Sequence, residues 1–187
     1  ADLERAVANK EFVLHYQPLV QIESGAIVGV EALIRWQNPE LGLIGPDQFI
    51  HVAEDIGLII PIGEWVLREA CRQVRAWQDS GLPPLMVAVN VSPVQFRQAG
   101  FVETVAGVLA ATELEARFLE LELTERTVMH DAEQTLGTLR TLNRMGVELA
   151  LDDFGTGYSS LAYLKRFPVG KLKIDRSFVR DLEVDSD

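Results

Sequence analysis

Strand-like and helix-like segments alternate along most of the chain, and this alternation constrains the fold more than any other feature. The alternating part has predicted strands at 85–91, 118–124, 147–153 and 171–175, separated by predicted helices at about 93–112, 131–145 and 157–166. Strands separated by helices need crossover connections, so they lie parallel in βαβ units. Because these crossovers are right-handed, two architectures remain: an open doubly wound sheet or a (β/α) barrel.

The first part of the chain has a different pattern. Residues 2–10 are typical of a short amphipathic helix, and residues 12–22 and 26–36 of two strands. The connection Glu23-Ser24-Gly25 is short and turn-like, which predicts an antiparallel hairpin. Two further helices are predicted, one starting near Pro46 and one over about 61–79, which ends before a glycine.

The charge balance limits the partners of this chain. It has 28 acidic and 17 basic residues and a formal net charge of −11, which gives no broad electrostatic surface for a nucleic acid polymer or an anionic membrane. A phosphate-bearing ligand must therefore be held locally, by metal ions or a few placed cations. The single cysteine, Cys71, cannot form an intrachain disulfide, and no apolar run approaches the roughly 18 residues of a membrane span. We expect a soluble cytoplasmic domain.

Polar side chains stand at the carboxyl ends of the predicted strands, which form one mouth in a barrel. The oxygen donors among them are Glu31, Asn90, Glu122, Asp152 and Asp153, and Lys173 is the cation. Oxygen donors without Cys or His favour Mg²⁺ or Mn²⁺ over Zn²⁺. Four carboxylates repel one another unless cations are present, so we expect two ions, as in phosphodiester cleavage. Lysine can stabilise charge on phosphate or orient a water nucleophile.

Asp152 and Asp153 are a difficulty for this interpretation, because neighbours on a regular strand face opposite ways. Both can reach the site only if the strand bends or ends there. The following Phe154-Gly155-Thr156-Gly157 makes a bend reasonable. The glycine-rich run lacks the third glycine of a pyrophosphate-binding loop, so a mobile loop over the metals fits it better.

Each of these residues also has an ordinary structural interpretation. Glu120 and Glu122 alternate with leucines, as on a half-exposed strand with one solvated face. The two aspartates fit a turn or a helix cap, and Asn90 fits the turn before a helix. Arg35 and Lys173, taken singly, fit surface positions. The placement of polar groups at corresponding ends of five strands favours a functional site.

The chain resembles the EAL-domain family of bacterial cyclic di-GMP phosphodiesterases. The resemblance rests on segments distributed in order through nearly the whole chain: Tyr16-Gln17-Pro18, Glu31-Ala32-Leu33-Ile34-Arg35-Trp36, Asn90-Val91-Ser92, Glu122-Leu123-Thr124-Glu125, Asp152-Asp153-Phe154-Gly155-Thr156-Gly157 and Lys173-Ile174-Asp175. It implies a modified TIM (β/α)8 barrel whose first strand runs antiparallel. It also implies hydrolysis of cyclic di-GMP to linear pGpG with Mg²⁺ or Mn²⁺, in bacterial second-messenger signalling that regulates biofilms.

The resemblance also assigns roles to individual residues. Glu31, Asn90, Glu122 and Asp152 resemble ligands of one metal ion, and Asp152 and Asp153 ligands of a second. Lys173 resembles the catalytic group that positions or deprotonates water, with Glu31 as the second catalytic residue. Substrate contacts are implied for Gln17, Leu33 and Arg35, and Glu125 resembles the anchor of the loop 153–160, which affects metal binding and dimer contacts. The family context further implies a homodimer and flanking sensory domains, in a protein that can be membrane-anchored.

One departure from the family lies at the carboxyl terminus. A complete barrel has eight strands in about 250 residues, and we predict six strands here. The family's Glu-Gly-Val-Glu segment does not occur in the sequence. We therefore expect residues 1–187 to be a single EAL-type domain that is incomplete at its carboxyl end. An unclosed barrel exposes a sheet edge and should need a partner or be unstable.

Two other functions remain open from the sequence. The first is a non-catalytic cyclic di-GMP receptor, since family members can lose metal ligands and still bind. The second is an unrelated Mg²⁺-dependent barrel enzyme, for example one that acts on enolates with a lysine base. The matches at Gln17, Leu33 and Arg35 disfavour the second.

Overall fold

The computed structural model describes residues 2–129, 132–154 and 166–175. The strands are β1 Phe12–Val20, β2 Ile27–Asn38, β3 Gly42–Ile44, β4 Met86–Asn90, β5 Leu119–Thr124, β6 Glu148–Phe154 and β7 Lys171–Ile174. The helices are α1 Asp2–Ala8, α2 Ile50–Asp55, α3 Ile59–Asp79, α4 Pro93–Phe96, α5 Phe101–Thr112, α6 Glu125–Met129 and α7 Ala132–Arg144. Single 3-10 turns cover Pro46–Gln48 and Ala116–Phe118.

The strands form one sheet in the order β1-β2-β4-β5-β6-β7, with β3 paired to β2. β1 and β2 are an antiparallel hairpin in which Gln17 lies opposite Glu31, as predicted. Every later neighbour along the sheet, from β2–β4 to β6–β7, is parallel. The mixed sheet with an antiparallel first strand is therefore confirmed.

The sheet is curled like part of a barrel, which decides between the two architectures left open above. Lys173 on β7 and Glu31 on β2 are four strands apart in the sheet order, about 19 Å in a flat sheet. Their side chains nevertheless meet, with Lys173 Nζ 3.3 Å from Glu31 Oε2. The crossover helices α3, α5 and α7 also pack against each other in sequence, as in the outer layer of a barrel.

Helix α3 shows how the outer layer is held to the sheet. Its buried residues recur at intervals of three or four, which places them on one face: Ile59, Ile62, Gly63, Val66, Leu67, Ala70, Cys71 and Val74. Cys71 and Val74 are both fully buried on this face and so belong to the core. The helix ends at Asp79, and Gly81 follows with a φ of +87°, a conformation that favours glycine.

Some predicted boundaries were wrong for local reasons. The helix predicted over about 93–112 is two helices, because Gly100 adopts a φ of +88° and starts α5 anew. Strand β3 and helix α6, with three and five residues, were not predicted, being too short to show a periodic pattern. The predicted helix 157–166 lies almost wholly outside the described residues.

Among the described residues, no helix is both long and apolar enough to cross a membrane.

Candidate active site

The polar residues predicted at the strand ends lie together on the concave side of the curled sheet. Glu31, Asn90, Glu122, Asp152 and Lys173 come from β2, β4, β5, β6 and β7, which are consecutive in the sheet. Asn90 Nδ2 donates a hydrogen bond to Glu31 Oε1 at 2.8 Å. Asn90 is thus part of this cluster, and the cap of α4 is Ser92, whose Oγ accepts a hydrogen bond from the backbone N–H of Val94.

Lys173 is the centre of the cluster. Its Nζ lies 2.6 Å from Glu122 Oε2, 3.3 Å from Glu31 Oε2 and 3.5 Å from Asp152 Oδ2. Burial alone would lower the pKa of this amine, but the hydrogen bond to Glu122 and the three carboxylates outweigh burial and raise it above its usual range. Lys173 is therefore a firmly charged ammonium here, and the alternative of an ordinary surface lysine is wrong.

Glu122 is the most deeply buried carboxylate of the cluster. Its side chain is 1% exposed. Burial raises its pKa from 4.5 to about 7, even though Lys173 acts in the opposite direction, and the carboxylates of Glu31 and Asp152 add to the rise. Its Oε1 is buried without a hydrogen-bond partner among the described residues. The site thus leaves one carboxylate oxygen in need of a cation or a donor.

The bend required at Asp152-Asp153 is present. Asp153 has a φ of +55°, and the pairing of β6 with β7 shifts between Leu151 and Phe154. Asp152 Oδ1 accepts a hydrogen bond from the backbone N–H of Asp153 at 2.9 Å. Partial burial raises the pKa of Asp153, and the carboxylates of Asp152 and Asp175 raise it further. Both aspartates therefore stand in the electrostatic field of the site.

A cavity of about 530 Å³ opens beside this cluster, and Leu33, Asn90 and Asp153 contribute to its wall. Its remaining wall comes largely from α2 and α3. A larger cavity of about 690 Å³ lies near the starts of α5 and α7 and contains none of the strand-end residues. We assign the candidate site to the smaller of these two cavities, because Asn90 and Asp153 line it.

The remaining predicted residues lie nearby. Gln17 is exposed and stands opposite Glu31 across the hairpin. Arg35 shares the strand face of Glu31 and Leu33, and its guanidinium donates to the carbonyl of Ile34 at 2.8 Å. Glu125 is buried at the start of α6. The loop that it was predicted to anchor lies largely outside the described residues, so that role stays a prediction.

Three residues of this region were not predicted from the sequence to have a role in the site. Glu54 on α2 accepts a hydrogen bond from Ser92 Oγ at 2.7 Å, which ties the cavity wall to the end of β4. Glu120 and Lys171 form an ion pair of 2.6 Å, one pleat below the cluster. The spacing along the strands could have pointed to this pair. Glu120 lies two residues before Glu122 and Lys171 two residues before Lys173, so each shares a strand face with a site residue.

In the part of the chain that the structure describes, no group of three or more His, Cys, Asp or Glu side chains has the arrangement of a metal site. The carboxylates surround the ammonium of Lys173 instead. Their chemistry nevertheless suits a hard divalent cation, since every donor is an oxygen and Glu122 Oε1 has no described partner. We conclude that the donor set fits such an ion.

Residues 1–187 match the EAL domain over their whole length. The chain belongs to the EAL-domain family. This EAL domain is 53% identical over 186 residues to the bifunctional diguanylate cyclase/cyclic di-GMP phosphodiesterase MucR of Pseudomonas aeruginosa, of which it spans 27%. It is 42% identical over 181 residues to the cyclic di-GMP phosphodiesterase PdeR of Escherichia coli, covering 97% of this chain and 27% of PdeR.

Solved structures agree with this assignment. A structure of the P. aeruginosa MucR phosphodiesterase in complex with cyclic di-GMP matches the whole EAL domain with a TM-score of 0.95 and 53% identity, and the chain covers 75% of it. The Xanthomonas citri FimX EAL domain in complex with cyclic di-GMP matches with a TM-score of 0.86 and 26% identity, covering all of this chain and 72% of that one. The barrel-like curl of the sheet is thus a shared property of these domains.

Proposed function

We propose that this EAL domain hydrolyses one phosphodiester bond of cyclic di-GMP and releases linear pGpG. The observation that carries the proposal is the position of Lys173, whose ammonium contacts carboxylates from β2, β5 and β6 at the mouth of the curled sheet. Relatives that are named cyclic di-GMP phosphodiesterases support the choice of substrate. The net charge of −11 makes local cations necessary for binding such an anion.

We further propose that the site takes two divalent ions, Mg²⁺ or Mn²⁺. Glu31, Asn90, Glu122 and Asp152 would hold one ion, and Asp152 with Asp153 the other. The partnerless Oε1 of Glu122 and the all-oxygen donor set support this assignment. The chemistry that such ions supply is activation of a water nucleophile and neutralisation of charge on the phosphate.

Lys173 acts in this proposal by positioning. Its contacts with three carboxylates favour the ammonium form, and an ammonium has no lone pair with which to accept a proton. It therefore donates hydrogen bonds, which orient a water molecule toward phosphorus and stabilise negative charge that develops on the phosphate. Of the two roles that the family resemblance allowed for Lys173, the charge favours positioning over deprotonation. Glu31, which accepts from both Asn90 and Lys173, holds these groups in place as the second catalytic residue.

Substrate recognition falls to the face of the β1–β2 hairpin. Arg35 offers a guanidinium suited to a phosphate, Gln17 an amide, and Leu33 an apolar surface at the cavity wall. We also propose that Glu125 anchors the loop over 153–160.

The place of this domain in a longer protein is part of the proposal. The chain spans 27% of MucR and of PdeR. We propose that residues 1–187 are a single EAL-type domain, incomplete at the carboxyl end, of a cytoplasmic or membrane-anchored signalling protein with flanking sensory domains. A homodimer and a role in biofilm regulation belong to the same proposal.

Turnover of cyclic di-GMP by the full-length protein tests the hydrolase. With Mg²⁺ present, we expect pGpG as the product, and chelation of the metal should abolish its formation. Absence of linear product at full metal occupancy would refute the proposal.

A non-catalytic cyclic di-GMP receptor is the second candidate. It is favoured by the ammonium of Lys173, which stands among the carboxylates of the described residues where a hydrolase needs ions. Calorimetric binding of cyclic di-GMP with and without Mg²⁺, run beside turnover, separates the two. A receptor binds in both conditions without turnover, whereas the hydrolase turns over only with the metal.

A further inference from the structure

A second lysine–glutamate ion pair lies one pleat deeper in the sheet than the active-site pair. Lys173 also donates a hydrogen bond to Glu122, whereas Glu120 Oε2 has an ion-pair contact but no hydrogen-bond partner among the described residues. In the upper pair, Lys173 Nζ lies 2.6 Å from Glu122 Oε2, and in the lower pair Lys171 Nζ lies 2.6 Å from Glu120 Oε2. Both pairs connect β7 to β5, and each strand advances by two residues from one pair to the other. The two ion pairs therefore form together, in a single alignment of β7 relative to β5.

The lower pair is deeply buried on its acidic side. Glu120 is 2% exposed, while the side chain of Lys171 is 46% exposed and its Nζ also lies 3.5 Å from Met86 Sδ. Among the described residues, Lys171 is the only cation within ion-pair distance of Glu120. A buried carboxylate without a cation is strongly unfavourable. Glu120 therefore favours the alignment of β7 that brings Lys171 to it.

The backbone pairing of β7 with β6 defines the position of β7 only weakly. The strand has four residues, and its pairing with β6 is interrupted by a register shift. A short strand whose pairing is interrupted in this way specifies its register only weakly.

A slip of β7 by two residues would keep the same face toward the sheet interior but exchange the lysines. Lys171 would then meet Glu122, and Lys173 would move past it, beyond hydrogen-bond distance. Glu122 does not favour either alignment, because a lysine lies beside it in both. Glu120 favours the observed alignment, because only there does it also have a cation as a partner.

We propose that Glu120 and Lys171 are positioning residues whose ion pair sets the alignment of β7 and so places Lys173 opposite Glu122. A buried ionic pair that specifies register is a recognised use of such pairs. The kinetic consequence rests on the proposed function, since it requires that Lys173 serves hydrolysis of cyclic di-GMP. The alignment itself does not depend on that function.

The test uses a double variant, because removing one partner alone would leave an unpaired buried charge and destabilise the fold. In the full-length protein, Glu120→Gln with Lys171→Met removes both charges and keeps similar volumes. We expect kcat for cyclic di-GMP to fall about tenfold with little change in KM, since a misplacement of about 1 Å can cost more than that. Lys171→Arg keeps the pair and should keep kcat near the wild-type value.

A matched control removes an ion pair that has no part in the alignment. Arg68 and Glu64 form an exposed pair at 2.9 Å on α3, and Arg68→Met with Glu64→Gln should leave kcat and KM unchanged. A merely structural role for the lower pair predicts a lower melting temperature for the double variant, with wild-type kcat for the folded protein.

A crystal structure of the double variant gives a readout that does not depend on activity. We expect the contact between Lys173 Nζ and Glu122 to be lost or only partly occupied. An intact contact would overturn the inference, whatever the kinetics. Loss of the contact with unchanged kcat would support the alignment role and refute the role proposed for Lys173. A wild-type protein without turnover would refute the proposed function, and the structure of the variant would still decide the alignment.

Discussion

The two faces of strand β5 are equally buried and chemically opposite. Leu119, Leu121 and Leu123 face the helices and are fully buried, while Glu120 and Glu122 face the sheet interior and are 2% exposed. The leucines contribute apolar area and need only matching volume around them. The glutamates lose hydration and need cations in return. The degree of burial therefore does not distinguish a packing residue from a functional one. The difference lies in whether the buried side chain needs a charged partner.

The clearest test of the polar face is Lys173→Ala, which has the largest expected effect. Three carboxylates lose their shared cation, and by the proposed mechanism the water loses its positioning group. We expect kcat for cyclic di-GMP to fall about 10²- to 10³-fold. Affinity for cyclic di-GMP should change far less.

Steady-state kinetics and calorimetry on the same protein measure both quantities. Arg68→Ala, which removes an exposed cation from α3, is the control and should leave both unchanged. Equal losses of rate and affinity would mean that Lys173 only holds the substrate.

Leu121→Ala tests the apolar face of the same strand. The side chain is fully buried between the sheet and the helices, so its truncation should lower the free energy of unfolding by about 2–5 kcal/mol. The kcat of the folded protein should be unchanged, because the removed atoms are on the face away from Lys173. Denaturant titration and turnover provide the two readouts. A loss of kcat as large as that of Lys173→Ala would show that the two faces are not separable.

Glu122→Gln tests the cost of burying a carboxylate, measured without divalent ions. The pKa of Glu122 is about 7 in the folded protein against 4.5 as the ordinary value. The folded state therefore binds more protons between these values, and stability falls as pH rises through this window. The difference between these two pKa values corresponds to about 3 kcal/mol of stability.

Denaturant titrations between about pH 4.5 and pH 8 measure this slope. Glu122→Gln should remove a corresponding part of it, whereas Leu121→Ala should lower stability at every pH with the slope retained. If the free energy of unfolding depended on pH identically in wild type and Glu122→Gln, burial of the Glu122 carboxylate would not be the cause of the slope.

Cys71 gives the smallest expected effect and tests the helix layer behind the leucines. It is fully buried on α3, and burial raises the pKa of its thiol to about 12. At about pH 8 the thiolate is scarce, and we expect almost no labelling of native protein by a thiol reagent, with complete labelling after unfolding. Rapid labelling of native protein would show that α3 separates readily from the sheet.

The path of the chain could be predicted from the sequence where local patterns were long and regular. The β1–β2 hairpin, the parallel strands after it and the long helix α3 are confirmed. The break at Gly100 and the strand β3 were not predicted, since a single left-handed residue and a three-residue strand leave little periodic signal.

The candidate site shows the same division. The prediction that polar side chains at the carboxyl ends of the strands lie together is confirmed for Glu31, Asn90, Glu122, Asp152 and Lys173. It could be made from the sequence because the carboxyl ends of neighbouring parallel strands lie at the same edge of a sheet. The alternative of a solvated face for Glu120 and Glu122 was wrong, since alternation along β5 is the same whether the second face meets water or a buried ion pair. The contact between Lys171 and Glu120 depends on the curl and alignment of distant strands, which no local pattern contains.

Hydrolysis in water enriched with ¹⁸O tests the central claim most directly, that the polar face of the curled sheet directs water onto a phosphodiester. The full-length protein is incubated with cyclic di-GMP and Mg²⁺, and the product is analysed by mass spectrometry. We predict pGpG with one ¹⁸O atom in its new terminal phosphate, and about a hundredth of this product or less from Lys173→Ala over the same time. Tight binding of cyclic di-GMP with no labelled pGpG would contradict it.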